Sequence, residues 1–366
     1  MTQSGYWQYN FINITFAMMK KVDYLIVGCG LAGIAFCEQL RAHNKSYVVF
    51  DNASQHSSTV AAGLYNPVIL KRFTEVWKAK EQLELTFTKY RELEELLYVK
   101  LNYELPVYRR FTSVEEQNEW FLASDKPSLE AFLSTNLKKN INAYIDAPFG
   151  FGMVNKTGRI DTNALIDGYR SYLKSQSLFY KESFDYDDLN ISPSEVVYKN
   201  INAKHIVFAE GFGVVKNPYF DTLPLNVAKG EVITIKAPDL NINFILKSSV
   251  FLVPEGDDLY YVGATYDWKD KTDAISKEGR EELVAKLSRF LKCDFTVVNQ
   301  LAGIRPTVKD RRPLVGKHPL HQNMYVLNGL GTRGVMIAPY VAKQLYHFVE
   351  HGKSLDNEID IDRFTF

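Results

Sequence analysis

The chain has 366 residues, of which 46% are apolar and 23% are charged. This length and composition are ordinary for a soluble globular protein and sufficient for two domains. Lysine plus arginine and aspartate plus glutamate each number 43, so the net charge of zero gives no overall electrostatic attraction to nucleic acid or to an anionic membrane.

Residues 1–17 differ from the rest of the chain. They contain several aromatic residues but neither a basic start nor a small-residue cleavage site, so they lack the pattern of a signal peptide. Met18 and Met19 are followed by two lysines and then by the first apolar run. We therefore expect the natural start at Met18 or Met19 and a disordered leader over residues 1–17.

Cysteine and histidine usage indicates neither a metal site nor a disulfide framework. The three cysteines, Cys29, Cys37 and Cys293, have no metal-ligand spacing, and no histidine pairs with a carboxylate at such spacing. So few cysteines favour the reducing cytoplasm as the location. The longest apolar stretch, residues 24–36, is interrupted by glycines and is too short to cross a bilayer, so no membrane partner is expected. The sequence shows no Ser-His-Asp or Cys-His arrangement, which favours a cofactor as the reactive group.

Residues 22–51 predict a βαβ unit. Residues 22–27 form a continuous apolar run, typical of a strand that is buried on both faces. Residues 31–43 carry apolar side chains at helical spacing, and residues 46–51 return as a second strand. Such a unit implies a parallel sheet in a doubly wound domain.

The rest of the chain predicts further helices and two kinds of strand. In chain order the predicted elements are a helix over 74–100, a helix capped by Asp161, short strands at 231–235, 250–254 and 259–263, a helix over 277–292, a strand at 324–327 and a last helix that ends before Gly352. We predict an α/β fold in which a doubly wound, Rossmann-like cofactor-binding domain carries an inserted antiparallel-sheet substrate domain. The cofactor-binding domain would comprise residues 18–80, 152–225 and 300–366, and the substrate domain residues 81–151 and 226–299.

A glycine pattern follows the first predicted strand. Gly28, Gly30 and Gly33 have the spacing GxGxxG between that strand and the next helix. The first glycine permits a tight turn, the second lets the backbone approach a pyrophosphate, and the third allows close helix–strand packing. Asp51 ends the second strand, where an acid binds the ribose hydroxyls of a dinucleotide and disfavours NADP. The alternative interpretation is a glycine-rich structural turn.

The same spacing recurs near the end of the chain. Gly329, Gly331 and Gly334 follow the strand predicted at 324–327, but the chain ends before a second ribose-binding acid could follow. A glycine-rich turn into a helix can present backbone donors to the ring oxygens of a flavin. A purely structural turn is the alternative.

Taken together, these motifs resemble the D-amino-acid oxidase superfamily of FAD enzymes, in particular its glycine oxidase and sarcosine oxidase branch. The resemblance extends from about residue 20 to 364 and rests on the segments 23–33, 57–67, 158–161, 205–211, 229–231, 253–254, 262–265, 302–306, Asp310, 313–316 and 329–334. It implies an FAD-binding domain with an inserted substrate domain. It also implies oxidation of a C–N bond next to a carboxylate, with hydride transfer to the flavin and hydrolysis of the resulting imine. The expected partners are a small amine or amino acid and oxygen or another electron acceptor.

The resemblance also assigns candidate catalytic residues. Arg305 stands at the carboxylate-binding position of the family, although a structural pair with Asp310 is the alternative. Arg333 would add a second contact or face the flavin. Lys71 and Arg72 would tune the flavin or meet an acidic substrate, unless they are ordinary surface cations.

Two departures from the family bear on substrate and cofactor. Phe251 and Leu252 stand where an active-site tyrosine is expected, which puts a simple glycine-like substrate in doubt. Tyr65 and Tyr266 could replace that tyrosine, or either could serve only in packing. The C-terminal flavin region has no cysteine, so we expect non-covalent FAD.

The family pattern also names the residues expected to contact the cofactor. They are Gly28, Gly30, Leu31, Ala32, Gly33, Asp51, Asn52, Ser58, Thr59, Ala62, Gly63, Leu64, Phe184, Ala209, Gly211, Arg305, Gly331, Thr332, Arg333, Gly334, Val335 and Met336. Most belong to the two glycine turns and to the segment after the second strand, so these three segments should meet in the fold.

Three alternatives to a small-amine oxidase stay open. Residues 62–67 and 330–335 look like the FAD domain of the bifunctional enzyme that trims a carboxymethylaminomethyl group on tRNA uridine. The companion methyltransferase domain is not in the sequence, and the zero net charge does not favour tRNA. A non-catalytic flavin-binding module is a second alternative, which Arg305 disfavours because a buried cation needs an anionic partner. An NAD-dependent dehydrogenase is the third.

Overall fold

The computed structural model describes residues 19–140 and 142–364, so the prediction for residues 1–17 lies outside the described residues. The helices are α1 (Leu31–Ala42), α2 (Ser57–Val60), α3 (Ala79–Leu97), α4 (Val114–Ser124), α5 (Thr162–Ser175), α6 (Lys277–Leu287) and α7 (Gly334–His351). The strands are β1 (Lys20–Val27), β2 (Tyr47–Phe50), β3 (Leu64–Tyr65), β4 (Val68–Ile69), β5 (Thr74–Glu75), β6 (Asn102–Glu104), β7 (Val107–Arg110), β8 (Phe151–Val154), β9 (Gly158–Ile160), β10 (Phe179–Tyr180), β11 (Leu189–Ile191), β12 (Val196–Tyr198), β13 (Ile201–Phe208), β14 (Ala228–Lys236), β15 (Ile245–Lys247), β16 (Phe251–Gly256), β17 (Leu259–Gly263), β18 (Thr296–Arg305), β19 (Leu314–Lys317) and β20 (Met324–Asn328).

The first large sheet is parallel at its centre. Its strands run in the order β10-β2-β1-β13, and β20 joins the far side of β13, all of them parallel. Strands β11, β12 and β19 extend it as antiparallel neighbours. On β1, Tyr24 and Ile26 pack into one hydrophobic cluster with α1, α3, α5 and α7, while Leu25 and Val27 pack into a second cluster on the opposite face. Burial on both faces explains why the β1 sequence reads as a continuous apolar run.

The carboxyl ends of these parallel strands lie side by side. Val27 pairs with Phe50 on one side and with Phe208 on the other, and Phe208 pairs with Val326. The residues that follow each strand therefore meet at one edge of the sheet. In doubly wound folds this edge is where ligands bind.

The second large sheet runs in the order β18-β14-β17-β16-β15-β7-β8 and is antiparallel except for the β15–β7 pair. One face packs with α6 into a third hydrophobic cluster, which includes Ile233, Ile235, Leu246, Leu252, Tyr260 and Val262. Alternate residues on the same strands point to the opposite face, because successive side chains of a strand alternate. The opposite face is divided: Val107, Val154, Ile245 and Val253 are buried in the first hydrophobic cluster, and other positions on that face are left for another purpose.

The predicted α/β fold class is confirmed, with a Rossmann-like parallel sheet and a second, mostly antiparallel sheet. The helix predicted over 74–100 begins only at Ala79, because Thr74–Glu75 pairs with Val68–Ile69 instead. Two strands of the second sheet, β8 (Phe151–Val154) and β18 (Thr296–Arg305), cross the boundaries near residues 152 and 300 that were predicted between the two domains. The division into domains stays a prediction. Among the described residues, no helix combines the length and the apolar character that crossing a membrane requires.

The Asp161 cap provides a stability test. Its carboxylate accepts a hydrogen bond from Ala164 N at 3.0 Å at the start of α5, as the sequence predicts. We expect Asp161→Ala to lower the free energy of unfolding by about 1 kcal/mol, because the first turn of the helix loses its acceptor. Asp161→Asn keeps a capping oxygen and should stay within a few tenths of a kcal/mol of the parent. Urea denaturation of the three proteins measures this, and equal losses for both variants would contradict the capping role.

Candidate functional site

A cavity of about 710 Å³ lies at the carboxyl edge of the parallel sheet. Its lining comes from the turn after β1, the residues after β2 and β13, the turn before α7, and one face of the second sheet. A volume of this size is typical of cofactor and small-ligand sites. The register of the parallel strands therefore places both glycine turns in one cavity.

The first glycine turn has a geometry that side chains would disrupt. Gly28 has a φ of +106°, and a Cβ on it would lie 2.3 Å from the carbonyl oxygen of Ala209. A Cβ on Gly33 would lie 2.0 Å from the oxygen of Gly28, so Gly33 permits α1 to pack closely on the turn. At Gly30 the nearest atom to an added Cβ would be Ser58 Oγ, at 3.3 Å, so the backbone there faces the cavity. These are the three functions that a pyrophosphate-binding turn needs.

Asp51 lies beside this turn. Its Oδ2 accepts a hydrogen bond from Cys29 N at 2.6 Å, and both carboxylate oxygens lie 3.3 Å from Arg170 Nη2. Within the described residues, the buried Nε of Arg170 has no hydrogen-bond partner. Arg170 has no signal in the sequence, because on α5 it is one of several polar residues and nothing in the local pattern distinguishes it.

The structure brings together most of the residues predicted to contact FAD. Those that line the cavity are Gly28, Gly30, Leu31, Ala32, Asp51, Asn52, Ser58, Thr59, Ala62, Gly63, Leu64, Phe184, Ala209, Gly211, Arg305, Gly331, Thr332, Arg333, Gly334 and Val335. Gly33 and Met336 do not line it: Gly33 packs on Gly28, and the buried Met336 accepts a hydrogen bond on Sδ from Asn66 N at 3.3 Å. Their contribution is to the packing behind the cavity lining.

The second glycine turn places a cation in the cavity. Gly329 and Gly331 have φ angles of +72° and +59°, and the turn leads into α7 at Arg333. Arg333 lines the cavity, and no carboxylate among the described residues pairs with it. Burial lowers the pKa of its guanidinium below the ordinary value. A cation at a helix N-terminus favours an anionic or electron-rich group of a ligand.

Arg305 ends β18 on the cavity side of the second sheet. A Cβ on Gly230 would lie 1.8 Å from Arg305 Nη2, so this glycine leaves the space that the guanidinium occupies. Nη1 donates long hydrogen bonds to the carbonyl oxygens of Lys229 at 3.4 Å and Thr265 at 3.3 Å, and the guanidinium stacks 4.5 Å from the ring centroid of Tyr266. All of these partners are neutral. The guanidinium therefore retains its capacity to bind a carboxylate with two hydrogen bonds.

The alternative interpretation, in which Arg305 pairs with Asp310, is wrong. Asp310 Oδ2 lies 2.9 Å from Arg363 Nε, and among the described residues no ion pair joins it to Arg305. Asp310 is thus paired with Arg363, and it does not line the cavity.

The other predicted catalytic residues have different positions. Tyr266 and Lys71 line the cavity; Tyr266 is 56% exposed and supports the Arg305 guanidinium with its ring, and Lys71 is exposed. Tyr65 does not line the cavity. It is fully buried, and its hydroxyl donates a hydrogen bond to Asn102 Oδ1 at 2.8 Å, so its environment is that of a packing residue.

One face of the second sheet lines the cavity, and apart from Arg305 and Phe251 its residues were not predicted to belong to a site. We call this set the cavity face of the second sheet; it consists of Gly230, Val232, Lys247, Phe251, Tyr261, Gly263, Gly303 and Arg305. On β14, β15, β16 and β17 the members alternate with buried residues of the third cluster. The period of two could have identified Tyr261 from the sequence, whereas Lys247 lies on the short strand β15, which has no clear sequence signal.

The cysteine in the cavity lining is poorly suited to attack a cofactor. All three cysteines are buried and unpaired. Burial raises the pKa of Cys29, the cysteine in the cavity lining, to about 12, so its thiol is a poor nucleophile at neutral pH. Among residues 19–140 and 142–364, no group of three or more His, Cys, Asp or Glu side chains could hold a metal ion.

Comparison with known proteins identifies similar sequences over nearly the whole chain. A family model described as FAD dependent oxidoreductase matches residues 23–347. Glycine oxidase of Bacillus subtilis is 22% identical over 353 residues, covering 88% of this chain and 91% of that protein. The tRNA 5-methylaminomethyl-2-thiouridine biosynthesis bifunctional protein MnmC of Campylobacter jejuni is 22% identical over 317 residues, but this chain spans about half of its length, 47%.

A similar fold is found among solved structures. The crystal structure of glycine oxidase from Geobacillus kaustophilus superposes with a TM-score of 0.75 at 20% sequence identity, covering 94% of this chain and 98% of that one. At such identity the likeness shows the arrangement of the two sheets and says nothing of the substrate. The cavity described above thus lies within a fold that extends over nearly the whole length of both chains.

Asp51 provides a test of cofactor binding. We expect Asp51→Asn to weaken FAD binding to the apoprotein about 10- to 100-fold, because a hydrogen bond to a charged group contributes about 1.5–3 kcal/mol. Titration followed by flavin fluorescence measures the dissociation constant. The matched control is Asp310→Asn, which removes an acid from an ion pair outside the cavity and should leave the constant unchanged. Equal affinity in the parent and in Asp51→Asn would exclude Asp51 from the cofactor site.

Proposed function

Because this chain belongs to the family of FAD-dependent oxidoreductases, we propose that it oxidises the C–N bond of a small amine or amino acid that carries a carboxylate next to that bond. The observation that carries the proposal is the Arg305 guanidinium, which lines the cavity and whose hydrogen-bond and stacking partners in the described part of the chain are all neutral. A cation in this state needs an anion, and a substrate carboxylate supplies one.

The residues of the cavity fit FAD. The turn at Gly28 and Gly30 suits the pyrophosphate, Asp51 suits the adenosine ribose, and the turn before α7 with Arg333 suits the electron-rich edge of the flavin ring. When bound, FAD supplies the acceptor for the hydride that leaves the carbon of the C–N bond, and the imine product is then hydrolysed by water. The chain itself needs no nucleophile for this chemistry.

The part that we assign to Arg305 is orientation. A bidentate pair fixes both the position and the rotation of a carboxylate, so the neighbouring C–H bond is held in one direction. Tyr266 supports the guanidinium from one side, and the carbonyl oxygens of Lys229 and Thr265 limit its movement on another. We regard Tyr266 as a positioning residue, since its ring contacts Arg305 rather than a reacting atom.

The alternative functions have weaker support. The proposal of a tRNA substrate rests on relatives such as MnmC, of whose length this chain spans 47%, whereas it spans 91% of a glycine oxidase. A non-catalytic flavin module would leave Arg305 without the anion that its position calls for. Membership of an FAD-dependent family argues against an NAD-dependent dehydrogenase.

Substitution of Arg305 tests the proposal. We expect Arg305→Ala to lower the rate of anaerobic flavin reduction at subsaturating substrate about 10- to 100-fold, because a charged hydrogen bond to the carboxylate is lost. Arg305→Lys keeps the charge but not the bidentate geometry, so it should restore only part of that loss. Stopped-flow absorbance of the flavin during mixing with glycine derivatives and with D- and L-amino acids measures the rates.

The control for this experiment is Arg312→Ala, which removes a surface arginine paired with Glu358. The FAD content of each variant should be measured first, so that a loss of cofactor is not mistaken for a loss of substrate binding. Unchanged reduction kinetics in Arg305→Ala with FAD fully bound would remove Arg305 from the substrate site. Absence of flavin reduction by every amine in the parent protein would overturn the proposed function.

A further inference from the structure

Lys247 is a cation on the cavity face of the second sheet that neither the fold nor the proposed reaction requires. It ends β15 and lines the cavity, and its Nζ lies 4.6 Å from the ring centroid of Phe251. The stem of a lysine can pack on apolar groups, but its ammonium is normally left in water or paired with an acid. Lys247 is partly buried, so the position of its ammonium in the cavity needs an explanation.

The neighbouring cations are neutralised, and Lys247 is not. Arg109, its register partner on β7, binds Glu116, and Lys286 on α6 pairs with Glu282. Within the described part of the chain, no carboxylate lies within ion-pair distance of Lys247. Burial, together with the positive charges of Arg109 and Lys286, lowers the pKa of Lys247 to about 8. Such a group is stabilised in its charged form when an anion enters the cavity.

Lys247 and Arg305 project from the same face of the sheet. Lys247 pairs with Phe251, Phe251 with Gly263 and Gly263 with Val232, so these residues form one row across four strands. Gly230, beneath the Arg305 guanidinium, lies two residues from Val232 on the same strand, hence on the same face. Both cations therefore border the same part of the cavity.

The strand geometry gives the spacing of the two charges. Adjacent strands lie about 4.8 Å apart, and residues i and i+2 of one strand lie about 6.8 Å apart. Gly230 is two strands across and two residues along from Phe251, so a guanidinium over Gly230 and an ammonium over Phe251 are on the order of 12 Å apart. A hydrogen bond of about 2.8 Å at each end leaves about 6 Å between two bound oxygens. That distance matches the two ends of a small dicarboxylic acid.

We propose that Lys247 binds a second carboxylate of the substrate, so that the preferred substrates are amino acids with two carboxylates, one held by Arg305 and the other by Lys247. This inference rests on the proposed function, since it names the substrate class of the same site. A substrate with one carboxylate leaves the Lys247 ammonium unpaired. In a substrate with two carboxylates, the second carboxylate takes the place of the water that the ammonium loses when the substrate binds. Phe251 provides the apolar surface beneath the Lys247 ammonium.

The test compares substrates that differ by one carboxylate. Anaerobic flavin reduction of the holoenzyme is measured with glycine and sarcosine, and with iminodiacetate and both enantiomers of aspartate and glutamate. We expect at least one dicarboxylate to give a reduction rate constant divided by Kd that exceeds the best monocarboxylate by 10-fold or more. In Lys247→Met, which keeps the length but not the charge, that advantage should fall by at least 10-fold while the monocarboxylates change less than 3-fold.

The control variant is Lys286→Met, which removes a nearby positive charge on the other face of the sheet and should preserve the preference for dicarboxylates. Equal reduction of the parent by both classes, or equal losses for both classes in Lys247→Met, would overturn the proposal.

A binding measurement separates this proposal from the proposed function. Glutarate is butyrate with a second carboxylate on its terminal carbon, and neither can be oxidised as an amine. Each is therefore titrated into the holoenzyme while the flavin spectrum is recorded. We expect glutarate to bind at least 10-fold more tightly than butyrate in the parent and to lose that advantage in Lys247→Met. If no amine reduces the flavin but glutarate shows this pattern, the proposed oxidation fails and the second carboxylate site stands. If amines reduce the flavin and glutarate has no advantage, the second site fails alone.

Discussion

The common register of the parallel strands is the constraint on which the site depends. Because Val27, Phe50, Phe208 and Val326 pair side by side, the segments that follow them converge on one edge although they are far apart in sequence. The glycine turn after β1, the acid after β2 and the turn before α7 become a single cavity for this reason alone. A shift of one residue in any strand would exchange its two buried faces and separate these groups.

The charges in the cavity are divided between its two ends. Near the first glycine turn, Asp51 is satisfied by backbone amides and by Arg170, so that end is balanced before a ligand binds. The other end holds Arg305, Arg333 and Lys247, none of which pairs with a carboxylate of the described chain. Such an excess of cations costs free energy in the protein alone, and an anionic ligand recovers it. The imbalance is therefore better explained by ligand binding than by folding.

The sequence could predict the parts of this site that depend on local geometry. The turn at Gly28 and the Asp161 cap each follow from what a few consecutive residues can do, and the fold class follows from the βαβ pattern. Contacts between distant strands were harder to predict. Tyr65 is a catalytic candidate by sequence, but its hydroxyl is turned toward Asn102. Lys247 becomes important because β15 lies beside β16 and because no carboxylate of the described residues pairs with it. Neither fact has a signature within its own segment.

The alternation of the second sheet has a consequence for how such proteins diversify. Its strands stabilise the molecule through one set of side chains and contact the cavity through the set between them, as Leu246 and Lys247 illustrate on β15. A mutation at a cavity position changes what the protein accepts, while the adjacent position that maintains stability is untouched. Natural selection can thus change the substrate one residue at a time without loss of the fold. The reason is that the residues that contact the cavity and the residues that stabilise the core alternate along the same strand.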